Sequence, residues 1–122
     1  MERHLDFADV QRAARALGEK RREARREYER QSQVAADADR DDRKAFAVAF
    51  TRARVGSEET PGKSVGEAEA VAAAEAADAK HRRDIAQSLA KSALLRIEEL
   101  EADRAMLRQL GDWSQRIDGV AA

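Results

Sequence analysis

Apolar side chains return every three or four residues along two long stretches of this chain, with one short interruption between them. In the first stretch Phe7, Val10, Ala14, Leu17, Ala24, Tyr28, Ala35, Phe46, Phe50 and Ala53 fall on one helical face. In the second, Ala68, Val71, Ala79, Ile85, Ala86, Leu89, Ala93, Ile97, Leu100, Leu107 and Leu110 do the same. Both stripes repeat at about 3.5 residues, the spacing of a coiled-coil seam. The pattern predicts a first helix over 7–55, a loop over 56–64 and a second helix over 65–118. At ~1.5 Å per residue the helices would be roughly 73 and 80 Å long. Helices of near-equal length joined by a short loop favour a long antiparallel hairpin. Folded at residue 60, such a hairpin sets Phe7 against Trp113, Val10 against Leu110, Tyr28 against Ala93 and Phe50 against Val71.

The punctuation agrees with these bounds. The single proline, Pro61, lies among Gly56, Gly62 and Gly66, almost at the middle of the chain. Asp6 can cap the first helix, with Leu5 and Val10 placed as a hydrophobic staple. Gly56 suits a left-handed cap after Val55. Ser64-Val65-Gly66-Glu67 reads as a capping box, and Asp118-Gly119 as the end of the second helix. The rival arrangement is a three-helix bundle. It needs a break near 36–42, where Asp37, Asp39, Asp41 and Asp42 weaken helix propensity.

Composition sharpens the picture. Alanine accounts for 27 of the 122 residues, and only 25 are Val, Ile, Leu, Met, Phe, Trp or Tyr. So few large side chains cannot fill a wide core. One thin all-helical domain over 1–122, or a bundle in which several copies pool their apolar faces, follows from this shortage. Net charge is −1, so no global field draws the chain to nucleic acid or an anionic membrane. Cysteine is absent, which excludes disulfides, thiolate metal sites and cysteine nucleophiles. No apolar run approaches the roughly 20 residues of a membrane span. The N-terminal MERHLDFADV lacks the apolar core of a signal peptide, so a cytoplasmic protein is expected.

A second stripe bears on function. Leu95, Ala102, Met106 and Trp113 lie together on the second helix, well around from the Leu89–Leu107 line. One partner helix cannot cover both stripes. Left open, these residues form an apolar patch of the kind that marks a protein interface. Three occupants are open: another part of the same chain, a second copy completing a four-helix bundle, or a different protein. Tryptophan and methionine are common interface anchors.

Charge is also patterned. Residues 12–30 carry eight basic and four acidic groups, and residues 80–96 carry five and one. The hairpin would set these segments side by side as a basic belt. Arg22, Arg25, Arg26, Arg30, Arg82 and Arg83 are the candidate phosphate contacts for a nucleic acid. Against that, Glu19–Arg22, Glu23–Arg26, Glu27–Arg30 and Asp78–Arg82 have the spacing of ordinary ion pairs along a solvated helix. There are no interleaved aromatics for base stacking and no glycine-rich phosphate loop.

Catalytic chemistry has little to work with. Asp78 and His81 have the spacing of one carboxylate–histidine metal pair, but a di-metal bundle site needs two such pairs and further glutamates. His4 lies near the chain end. Neither metal nor cofactor is expected, nor an enzyme.

Arg43-Lys-Ala-Phe-Ala-Val-Ala-Phe-Thr-Arg-Ala53, Ser64-Val-Gly-Glu-Ala-Glu-Ala70 and the run from Leu94 to Trp113 resemble small helical hairpin proteins encoded by tailed phages, often near DNA recombination and replication genes. The resemblance covers about residues 43–117. It implies an accessory protein acting on DNA metabolism or a host factor through protein contacts, in the host-cell cytoplasm, with no catalytic residues. The Ser57–Pro61 loop is longer than that family's turn, and the acidic 37–42 stretch departs from it.

Overall fold

The computed structural model describes residues 6–121, and among these the chain is all-helical: α1 (Phe7–Val55), α2 (Val65–Glu75) and α3 (Ala77–Ala121). Leu5 of the expected staple and His4 lie outside the described residues. Asp6 caps α1, its Oδ1 accepting from Asp9 N–H at 2.8 Å. α1 then runs through 36–42 without a break. The helix is continuous as predicted, and the break that the rival arrangement needs is absent; three of the four aspartates there are occupied by side chains. Asp37 takes Gln33 at 3.0 Å and Arg40, Asp39 takes Arg43 at 3.0 Å, and Asp42 takes Arg83 at 2.7 Å. A carboxylate held this way no longer competes for backbone N–H groups, which is the source of aspartate's poor helix propensity.

The loop folds onto the end of α1. Gly56 adopts φ +73°, and its N–H donates to the Arg52 carbonyl at 3.0 Å. Lys63 N–H reaches the Ala53 carbonyl at 2.8 Å, and the Arg54 guanidinium donates to the Lys63 carbonyl at 3.0 Å. Carbonyls left open by the helix end are thereby satisfied. Gly62 is required by this approach, since a Cβ there would stand 2.2 Å from the Arg54 carbonyl oxygen. Ser64 Oγ accepts from Glu67 N–H at 3.3 Å and opens α2.

The second predicted helix is interrupted once, at Ala76 (φ −90°, ψ 4°). The interruption is slight. Ala76 N–H still donates to the Ala72 carbonyl, and Lys80 N–H to the Ala76 carbonyl, both at 2.9 Å. Beyond it, α3 continues past Asp118-Gly119 to Ala121. Isolated glycine in a helix is unfavourable but does not stop it when no left-handed turn follows. Among the described residues no helix is long and apolar enough to cross a membrane.

Packing divides the chain into two compact units. The first joins α1 up to Tyr28 with α3 from Ser92. Arg21 meets Glu101, and Gly111 lies beside Val10, so the two segments run antiparallel. Its core is Leu17, Ala24 and Leu100, with Ile97 and Leu107 packed against it. The second unit spans 29–91. Arg83 meets Asp42 and Arg52 approaches Glu75 at 3.9 Å, again antiparallel. Its buried apolar residues are Ala49, Ala53, Ala68, Ala72, Ala76, Ala79 and Ala86. Ile85 and Leu89, expected on the packed face, are about half exposed at 48% and 50%. At an interface lined by methyl groups the backbones come close, which leaves no room for a branched side chain between them.

Two substitutions probe these different cores. Leu100, 2% exposed, is the large side chain most fully enclosed among the described residues. Leu100→Ala is expected to destabilise the fold by about 2–5 kcal/mol in urea unfolding. In the second unit the damaging change is enlargement: Ala72→Leu, at a position with 0% exposure, is expected to lose about 1–3 kcal/mol or more.

Candidate interaction surface

The second stripe predicted from the sequence lies entirely in the first unit, on α3, and it is open. Leu95 is 53% exposed, Met106 61% and Trp113 62%, and Ala102 is exposed as well. Trp113, set level with Phe7 by the predicted register, is left largely exposed. Phe7 instead borders a groove to which α3 brings Gly111, Asp112 and Gln115. Met106 and Trp113 flank a shallow concavity of about 380 Å³ with Gln109, Leu110, Asp112 and Arg116. The stripe is flanked by the exposed acids Glu98, Glu99 and Asp103.

The groove beside Phe7 was not foreseen. It holds about 350 Å³ between the two helices of the first unit. Its floor is Val10, Leu17 and Leu107, and Arg21, Arg104 and Arg108 line its edge. Gly18 and Gly111 border it from facing helices. The signal available in the sequence was this pair of isolated glycines within long helical patterns, but their facing each other is a matter of tertiary register.

The six candidate phosphate contacts divide between the units. Arg22, Arg25 and Arg26 belong to the first, and Arg30, Arg82 and Arg83 to the second. Several are already engaged. Arg83 donates to Asp42 at 2.7 Å and to Asp84 at 3.0 Å. Its hydrogen bond with Asp84, reinforced by the charge of Asp42, holds the guanidinium above its ordinary pKa against the effect of desolvation. Arg25 stands 3.7 Å from Glu101, and Arg30 is engaged too. Arg22, Arg26 and Arg82 are exposed, and among the described residues the expected pairs with Glu19, Glu23 and Asp78 do not close to ion-pair distance. Asp78 and His81 are both exposed.

Glu101 is the electrostatic hub of the first unit. It accepts Arg21 Nε at 3.0 Å and Nη2 at 2.5 Å, with Arg25 and Arg104 nearby. The hydrogen bonds from Arg21, with the surrounding arginine charge, hold its carboxyl below the usual glutamate pKa, and desolvation opposes them only in part. No protein-family model, curated protein or solved structure matches the chain.

Two outcomes follow. Because the folded-state pKa of Glu101 is depressed, its contribution is complete above the unfolded-state glutamate pKa and disappears as pH falls through the folded value. Unfolding midpoints of wild type and Glu101→Gln should therefore differ at neutral pH and converge in acid. Arg83 acts in the fold before any ligand: Arg83→Ala and Asp42→Ala should each lower the melting temperature. The double variant should lose less than the two single losses added together.

Proposed function

We propose that this chain is a non-enzymatic interaction protein that self-associates and presents helical faces to protein partners. The observation that carries the reading is the open stripe of Leu95, Ala102, Met106 and Trp113 on α3. A tryptophan and a methionine more than half exposed along one helix face leave apolar area in water that association would remove. The resemblance to phage-encoded helical hairpin proteins gives the reading its setting: an accessory role in DNA recombination or replication, or modulation of a host factor, exerted by contact rather than catalysis. Direct nucleic-acid binding is the weaker reading, because Arg25, Arg30 and Arg83 are engaged within the fold.

Sedimentation equilibrium tests the proposal. Wild type is expected to associate with increasing concentration. Trp113→Glu should remain monomeric while keeping its helical circular dichroism, since the side chain it removes is outside the core. A wild type that stays monomeric at high concentration overturns the reading.

A further inference from the structure

Gly18 and Gly111 stand inside long helices, where glycine is less favourable than alanine. The chain's own geometry does not call for either. Among the described residues the positive-φ glycine is Gly56. A Cβ on Gly18 would meet only Arg22 Nη1 at 3.9 Å, and one on Gly111 only Val10 Cγ1 at 3.5 Å, an ordinary contact. Yet both border the same groove. Their missing side chains leave space that one copy of the chain does not fill.

The groove is graded along its length. Arg21 and Arg104 stand at one end, where they share Glu101 and leave that end net positive, with Arg108 further along and Phe7 and Asp112 at the other. The molecule carries a surface with the opposite relief and charge. Glu98, Glu99 and Asp103 accompany the Leu95–Ala102 half of the α3 stripe, with Arg96 3.5 Å from Glu99, and Arg116 follows Trp113. Spacing matches as well. Glu99, Met106 and Trp113 are separated by seven residues each, as are Arg21, Ala14 and Phe7. Both series span about 21 Å of helix.

We infer that the groove of one copy receives the α3 stripe of a second copy. This rests on the self-association reading and names the surface that answers the stripe. Glu99 lies at the arginine end, Met106 over Ala14 and the space left by the two glycines, and Trp113 against Phe7. Arg116 then approaches the other copy's Asp112. On α3 the stripe points about 180° away from Arg104 and about 140° from Arg108, with Asp112 between the two surfaces. The contact therefore joins two different surfaces, and a copy whose stripe is seated keeps its own groove open for the next. Contacts of this kind build rings or chains rather than stopping at a two-fold dimer.

Sedimentation velocity on single and mixed variants tests this. Trp113→Glu spoils the stripe and leaves the groove. Arg104→Glu with Arg108→Glu spoils the groove and leaves the stripe. Gly18→Leu is a second groove variant that keeps the charges, and the room beside Gly18 lets it fold. Wild type should pass beyond a dimer as concentration rises. Each variant alone should associate at least about tenfold more weakly. An equimolar mixture of the stripe variant with either groove variant should form a one-to-one heterodimer and nothing larger. If both groove variants, shown helical by circular dichroism, associate like wild type, the groove assignment is overturned while self-association through the stripe stands. A mixture that yields no heterodimer overturns it too. A monomeric wild type would instead remove the self-association reading beneath it.

Discussion

The shortage of large apolar side chains governs this protein. Each unit must bury its backbone with what remains, and in the second unit that means alanine: Ala68 and Ala72 are wholly enclosed, and Ala49, Ala76 and Ala86 nearly so. A methyl group removes little area from water compared with leucine. Its advantage is geometric, since small side chains let helix backbones approach closely. The first unit works differently, with Leu17 and Leu100 supplying bulk between its helices. Several other large side chains, Trp113 and Met106 foremost, are more than half exposed.

Ion pairs complement this thin packing. Asp42 is 8% exposed, and a carboxylate so enclosed requires a partner, which Arg83 provides. Within the first unit Glu101 gathers Arg21, Arg25 and Arg104. These contacts specify which residues of α1 and α3 face each other, a task that a seam of near-identical alanines performs poorly. Part of the arginine charge is thereby committed to register within each unit.

The same economy shapes the surface of α3. One side carries apolar knobs with acidic neighbours. Another borders a groove with arginine edges and two glycines at its wall. Residues that would have filled the groove from within are absent, and residues that would have been sheltered by a neighbour are exposed. Both features involve one helix.

Periodicity and capping residues sufficed for much of the local structure. The 3.5-residue repeat, Asp6, Gly56, Pro61 and Ser64 located α1 and the start of α2, because capping and turn geometry are local and depend on a few side-chain types. The same repeat marked Leu95, Met106 and Trp113 as lying off the packed face. Tertiary contacts decided the rest. Within the predicted continuous helix, which partner Asp42 meets was decided by tertiary structure: Arg83, distant in sequence. Burial of alanines rather than Ile85 and Leu89 depends on how near the helices approach. The groove brings together Gly18 and Gly111, far apart along the chain, on facing helices. Sequence determines which face of a helix is apolar; only the packed structure determines what that face meets, because the meeting depends on register and distance between segments that local pattern does not encode.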